Sequence, residues 1–229
     1  IKPGSMLAFG VFDKELYNYI QNDQATLQIS NNGVTETIVG NIPQNHGHGQ
    51  IHGAEFQVTY FYDFLPGALN GLGTDFNVTV LETRGTQNTS SSVYDPVQTG
   101  AARLKLPLEQ LSRYSYNATL MYNKYGFDAR LAYNWRSRYL MAASASNVQA
   151  PAYMEDYGQL DASLLYTLNA HYKIGIQAVN LTGAKSVIDI DERDNWYYGT
   201  QGNTSSALVY KHNWTLSDKR ISLVLRGTF

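Results

Sequence analysis

The chain has 229 residues, a formal net charge of −2 and no cysteine. A dedicated nucleic-acid binder would carry a basic excess, and without cysteine neither a disulfide framework nor a thiolate metal site can form. Charged residues make up 16% of the sequence, below the ~25% usual in soluble domains, whereas aromatics reach 13% and tyrosine alone supplies 18 residues. Tyr joins an apolar ring to a polar tip and suits a membrane–water interface. No apolar run approaches the ~18 residues of a transmembrane helix, so a crossing of a bilayer here requires strands whose backbone groups pair with one another.

Period-2 alternation predicts eight strands, at 5–20, 51–64, 72–86, 113–124, 127–142, 159–168, 172–181 and 218–229. The first alternates least cleanly and leaves its register open. The second sets Ala54, Phe56, Val58, Tyr60, Tyr62 and Phe64 against Glu55, Gln57, Thr59 and Asp63. The fourth sets Tyr114, Tyr116, Ala118, Leu120 and Tyr122 against Ser115, Asn117, Thr119 and Asn123. In the fifth, Phe127, Ala129, Leu131, Tyr133, Trp135, Tyr139 and Met141 share one face, and Asp128, Arg130, Asn134, Arg136 and Arg138 the other. The sixth opposes Leu160, Ala162, Leu164 and Tyr166 to Gln159, Asp161, Ser163 and Thr167. The seventh opposes Ile174, Ile176 and Ala178 to Lys173 and Gln177. The last opposes Ile221, Leu223, Leu225, Gly227 and Phe229 to Ser222, Val224, Arg226 and Thr228.

The connections alternate in length. Compact turns join strands two and three through Pro66-Gly67, four and five through Lys124-Tyr125-Gly126, and six and seven through Asn169-Ala170-His171. The other connections, 21–50, 87–112, 143–158 and 182–217, are long and rich in Asn, Gly, Ser, Thr and Gln. One dry face, one wet face and unequal ends predict an all-β fold, an antiparallel transmembrane β-barrel with its polar face on an aqueous lumen. A soluble β-sandwich would instead bury the Tyr-rich faces.

Several residues invite a chemical role. His46, His48 and His52 place three imidazoles within seven residues, and neutral imidazole ligates transition metals. No fourth ligand is evident, and a polar loop entering a strand is the plainer reading, so no metal is assigned. Asp189, Asp191, Glu192 and Asp194 are hard oxygen donors, yet they lack the ligand spacing of a calcium loop and read as a solvated run. Trp196, Tyr197 and Tyr198 in the longest loop could stack on a planar ligand or a sugar face. Arg130, Arg136 and Arg138 on the lumen face could attract anions or pair with carboxylates inside the barrel. Six Asn-x-Ser/Thr sequons, at Asn77, Asn88, Asn117, Asn180, Asn203 and Asn213, are read as chance in an Asn/Thr-rich chain. There is no Gly-x-Ser-x-Gly elbow, no His-Glu-x-x-His and no phosphate-cradling Gly loop, so no enzyme activity and no cofactor is expected.

The stretch Tyr122-Asn-Lys-Tyr-Gly-Phe-Asp-Ala-Arg-Leu-Ala-Tyr-Asn-Trp-Arg-Ser-Arg-Tyr139 resembles a strand–turn–strand of TonB-dependent outer-membrane receptors. Ile51-His-Gly-Ala-Glu55, Phe64-Leu-Pro-Gly67, Tyr157-Gly-Gln-Leu-Asp161, Val179-Asn-Leu-Thr182 and the terminal Phe229 support the match. Gly227 departs from it, standing where the family's last strand often has a bulky residue. The resemblance implies a barrel of about 22 strands with a plug in its lumen. On that reading, residues 1–229 are the last eight strands, the plug is not in this chain, and Phe229 acts as an assembly signal. The start at Ile1, with neither initiator Met nor signal peptide, is then read as that of a processed or truncated product.

The implied function is active uptake of a carbohydrate or of an iron-siderophore or vitamin-like ligand across the bacterial outer membrane. Its implied partners are the TonB complex (reached through the plug), outer-membrane lipid and the barrel assembly machinery. A small structural or adhesive barrel and a soluble binding module are the competing expectations.

Overall fold

The computed structural model describes residues 4–88, 103–143, 151–191 and 209–228. Thirteen strands follow in chain order: β1 (Met6–Asn31), β2 (Val34–Phe61), β3 (Leu72–Asn88), β4 (Arg103–Leu106), β5 (Tyr114–Lys124), β6 (Phe127–Arg136), β7 (Tyr139–Ala142), β8 (Ala152–Met154), β9 (Tyr157–Thr167), β10 (Tyr172–Val179), β11 (Lys185–Asp191), β12 (Val209–Leu216) and β13 (Arg220–Gly227). The larger sheet runs β1-β2-β3-β5-β6-β9-β10-β13, with β4 paired to β3. A smaller sheet runs β12-β11-β8-β7. The larger sheet is the expected eight-stranded meander, each strand antiparallel to its neighbours. Among the described residues its two edges, β1 and β13, do not pair with each other.

Directly opposite residues in an antiparallel ladder point to the same side of the sheet, so the register tests the alternation across strands. Val58 faces Phe76, Phe76 faces Ala118, Ala118 faces Tyr133 and Tyr133 faces Leu160. Farther along, Leu131 faces Ala162, Ala162 faces Ala178 and Ala178 faces Ile221. One apolar surface thus crosses the wall without interruption, and it is bare. Phe9 is 72% exposed, Leu223 84% and Leu131, in the middle of the wall, 42%. The reverse side carries Gln57, Asn77, Asn117, Asn134 and Gln159 in one lateral row, with Asn117 donating to Asn77 Oδ1 at 2.8 Å.

Aromatic rings gather at both ends of the bare face. Near the short turns, Phe127 and Tyr166 lie 4.7 Å apart, and Tyr60, Tyr62 and Phe64 form a cluster. Near the long connections, Tyr116 stacks on Trp135 at 5.3 Å and tilts against Phe76 and Tyr133. From Phe127 to Trp135 a strand runs about 26 Å at ~3.3 Å per residue, which at a tilt of ~35–45° covers about 20 Å of the ~25 Å apolar band that aromatic girdles flank.

The short turns have specific chemistry. Tyr125 at φ 55° and Gly126 at φ 79° give the doubly left-handed corner of a two-residue hairpin, whose twist matches that of the strands it joins. The expected turn at 65–71 winds into a short 3-10 segment, Gly67–Gly71. Lys124 Nζ donates to the Gly67 carbonyl at 2.6 Å and to Asn70 Oδ1, tying two adjacent turns together. At the next turn, Asn169 Oδ1 accepts from the amides of His171 and Tyr172, both at 2.9 Å.

The long connections depart from expectation because all four contain strands, β4 among them in 87–112. Residues 21–50, expected as a loop, continue β1 and β2 as one hairpin closed by Asn32 (φ 49°) and Gly33 (φ 80°). Asn-Gly is the strongest short hairpin signal, and here it outweighs the polar composition around it. Beyond the last β2–β3 pair, Gly49 with Gly85, this hairpin stands as a ribbon with no third strand among the described residues. Strand 127–142 breaks at Ser137, whose amide donates to Tyr114 O at 2.8 Å and whose hydroxyl accepts from Tyr114 N at 3.1 Å. The chain then leaves the wall as β7. Residues 143–158 and 182–217 contribute β8, β11 and β12 to the smaller sheet.

Leu131→Arg is expected to block membrane assembly, because a charge near the midplane costs about 2–4 kcal/mol, while Asn134→Arg on the wet side is tolerated. Heat-modifiable mobility of the outer-membrane fraction in gel electrophoresis reads both variants. Equal damage from the two would remove the assignment of faces.

Candidate functional site

Residues 107–113 follow β4 and lie against the inner face of the wall at its long-connection end. Gly49 and Gly85 make the approach possible: a Cβ on Gly49 would stand 2.8 Å from Leu108 Cδ2, and one on Gly85 2.6 Å from the same atom. Leu108 fills that glycine notch and is 6% exposed, and its amide donates to Thr83 Oγ1 at 3.1 Å. The strap is then tied on both sides. Gln110 N donates to Leu140 O at 2.8 Å, Gln110 Nε2 to Met141 O at 2.7 Å, and Ala143 N to Glu109 Oε1 at 2.7 Å. Arg113 O accepts from Leu81 N at 2.7 Å.

Arg136, a candidate ligand contact from the sequence, holds this strap. Its Nε donates to Ser112 Oγ at 2.8 Å, one Nη donates to Gln110 O at 3.0 Å, and the guanidinium lies 3.8 Å from the centre of the Tyr139 ring. Both planar fork and stacking face are engaged. Arg138 stacks at 3.8 Å on Tyr153 and points its Nε at Asp189 Oδ2, 3.8 Å away. Arg130 sits on the inner face of β6, between Met121 and Ser163, exposed. The three arginines therefore do not form one cluster. Two of them lock polypeptide, and Arg130 alone is open to the lumen side.

Asp189 belongs to the smaller sheet, paired laterally with Tyr153 and Lys211, and is 6% exposed. Its Oδ1 is buried without a hydrogen-bond partner. Burial pushes its carboxyl above the ordinary carboxylate range; the Glu155 charge pushes the same way, while Arg138 and Lys211 pull it down. Lys211 itself pairs with Glu155 at 3.1 Å. Asp191 ends β11, and Glu192 and Asp194 lie outside the described residues.

The histidines serve different neighbours. His48 meets Tyr17 edge-on at 5.8 Å, beside the register shift at Tyr17–Ile20, where Asn18 adopts φ 55°. His52 Nε2 stands 3.5 Å from Glu82 Oε2, and Glu82 also binds Arg84. His46 lies in β2, opposite the same irregular stretch, and its side chain is outside the described residues, as are Trp196, Tyr197, Tyr198 and Phe229. Among the described residues no group of three or more His, Cys, Asp or Glu is placed to hold a metal ion.

One structural residue carried a weaker sequence signal. Asn180, 1% exposed and at φ 57°, ends β10 and ties three segments. Its amide donates to Asp161 Oδ1 at 2.8 Å, its Nδ2 to Ser217 O at 2.7 Å, and its Oδ1 accepts from Ala184 N at 2.7 Å. Its place in an Asn-Leu-Thr sequon reflects this corner; the Val179-Asn-Leu-Thr182 match was the available clue.

Beside the strap, a cavity of ≈ 390 Å³ is lined by Gln110, Ser115, Asn117, Asn134, Arg136 and Tyr157 among others. Leu81, Leu111 and Trp135 also line it; its polar side chains other than Arg136 are neutral hydroxyls and amides, of which Tyr157 already donates to Gln159 Oε1 and Asn117 to Asn77 Oδ1.

The sequence matches the family model described as TonB dependent receptor-like, beta-barrel, over residues 2–181. No curated protein and no solved structure matches the chain.

A raised folded-state pKa means that the folded sheet holds the Asp189 proton more tightly than the unfolded chain does. Stability contributed by this group falls as pH rises from the unfolded carboxylate range through the folded pKa. Asp189→Asn is therefore expected to match or exceed the parent melting temperature at neutral pH and to flatten its rise toward mildly acidic pH. Thermal melts in detergent across that range check it; a neutral-pH loss with unchanged pH dependence would contradict it.

Proposed function

We propose, because the chain belongs to the TonB-dependent receptor β-barrel family, that residues 1–229 form the C-terminal part of a receptor barrel taking up a carbohydrate-like ligand. The family is one of transporters rather than enzymes, and it implies the bacterial outer membrane and a TonB partnership. A single observation supports the wall reading most strongly. An uninterrupted apolar surface, bare and bounded by two aromatic belts, backs onto a polar face in strict register. The open edges β1 and β13 call for further strands, since unpaired backbone is not tolerated in hydrocarbon.

On this reading the long hairpin, the strap and the smaller sheet stand on the outer side and make first contact with ligand. Energy enters through TonB acting on a plug that lies in the lumen, and this segment supplies wall and contact surface. The cavity, with amides and hydroxyls set between Leu81, Leu111 and Trp135, favours a neutral polyhydroxylated ligand. Arg130, exposed on the same face, favours the second reading, an anionic iron chelate or vitamin-like ligand.

Uptake by cells carrying the whole receptor separates these readings. The expected result is oligosaccharide accumulation that stops when the proton gradient is collapsed and falls about tenfold in Asn134→Ala/Tyr157→Phe, equivalent to about 1.4 kcal/mol. Accumulation insensitive to the gradient would reduce the protein to a passive pore. Competition by a ferric chelate but not by sugar would move the assignment to the second reading.

A further inference from the structure

The short-turn end of the inner face holds a pair of charges that the uptake mechanism above does not use. Lys173 of β10 and Arg226 of β13 stand directly opposite each other in the ladder. Directly opposed side chains have Cβ atoms about 5 Å apart, and like charges so placed destabilise a sheet. Both residues are exposed, and neither forms an ion pair with a described residue. Acids near enough to relieve them are scarce among the described residues. The sequence has none between Asp161 and Asp189 and none after Asp218. Asp161 already accepts from Gln159 Nε2 at 2.8 Å and from the Asn180 amide. Asp128 of β6 is separated from β10 by the whole of β9. Arg220 adds a further cation on the inner side of β13, opposite Val179.

Flanking residues add polar groups beside the pair. Thr167, opposite Lys173 on β9, offers a hydroxyl. His171, at the turn, engages the Thr228 carbonyl through its ring Nδ1 at 3.0 Å, and Thr228 N donates back to His171 O at 2.9 Å, so the ends of β10 and β13 are pinned together. The ladder register sets an ammonium-bearing and a guanidinium-bearing side chain side by side, the combination that charge-assisted recognition of a planar or tetrahedral oxyanion uses.

We propose that Lys173 and Arg226, with Thr167 beside them, form an oxyanion site on the lumen wall near the short-turn end, one that takes a carboxylate or phosphate group. It rests on the reading of this face as the lumen. A bound anion converts the repulsion into two charge-assisted contacts. The anion comes either from a carboxylate of the same receptor lying in the lumen or from a small solute, and the two sources give different readouts.

The test uses the whole receptor, purified in detergent, with Lys173→Gln, Arg226→Gln and the double variant, each melted in chloride and in inorganic phosphate at equal ionic strength. Lumen-facing neutral substitutions leave assembly intact. If the receptor's own carboxylate fills the site, the parent melts several degrees above all three variants in both buffers. If the source is a solute, phosphate raises the parent melting temperature by several degrees and the double variant does not respond. A double variant that melts at or above the parent in both buffers overturns the site. Labelling of Gln177→Cys in cells by a membrane-impermeant thiol reagent is read in parallel. A thiol that labels there, with no melting difference among the charge variants, removes the site alone. A thiol that a lipid-partitioning reagent labels and the impermeant one does not removes the lumen reading as well.

Discussion

A backbone amide immersed in hydrocarbon has no water to turn to, so each N–H and C=O in the wall must find its partner in a neighbouring strand. That constraint explains why the eight principal strands form one continuous antiparallel ladder and why their side chains alternate so strictly. A single slipped residue would turn an entire row of Asn, Gln and Asp into lipid. The register from β2 to β13 shows no slip: Val58, Phe76, Ala118, Tyr133 and Leu160 stay on one side, and Gln57, Asn77, Asn117, Asn134 and Gln159 on the other. The Asn117–Asn77 and Thr59–Asp75 hydrogen bonds then satisfy polar side chains across the wet face, the second at 2.5 Å.

Above the upper aromatic belt the constraint lapses, and the chain behaves as water-exposed β-structure does. The β1–β2 hairpin runs on alone past Gly49; a two-stranded ribbon is only marginally stable in water by itself. The smaller sheet buries Asp189 under Arg138 and Tyr153, and the strap is held by Arg136, Leu108 and Thr83. Polar residues that would be ruinous in the lipid band thus fix the geometry of the outer end. The cavity beside the strap opens between them.

The wall was legible in the sequence because its signal is local and repeated: period-2 alternation in each strand, with Pro66-Gly67, Tyr125-Gly126 and Asn169 marking the turns. Residues 21–50 were not, because their alternation is diluted by Asn, Gln and Thr and put out of step with the wall by the register shift that pairs Tyr17, Tyr19 and Ile20 with His48, Gly47 and Asn45. The decisive mark was there nonetheless in Asn32-Gly33. Roles at the candidate site were hidden for another reason. Arg136 is fixed by Ser112 and Gln110, 24 and 26 residues away, and Arg138 by Asp189 at a still greater separation. Such partners follow from strand order and from the path of residues 107–113, which composition does not encode. The break at Ser137, which sends β7 into the second sheet, is likewise set by its bonds to Tyr114.

Residues 1–229 contain no cysteine, so a thiol placed in the wall is unique within them. Single cysteines placed in turn from 159 to 166 along β9, spin-labelled in the whole receptor reconstituted in lipid, report collision with oxygen, which partitions into hydrocarbon, and with a water-soluble nickel chelate. The account predicts oxygen maxima at Leu160, Ala162, Leu164 and Tyr166 and chelate maxima at Gln159, Asp161 and Ser163, two residues apart and out of phase. Oxygen and chelate profiles that rise and fall together, or that lack the two-residue period, would contradict it.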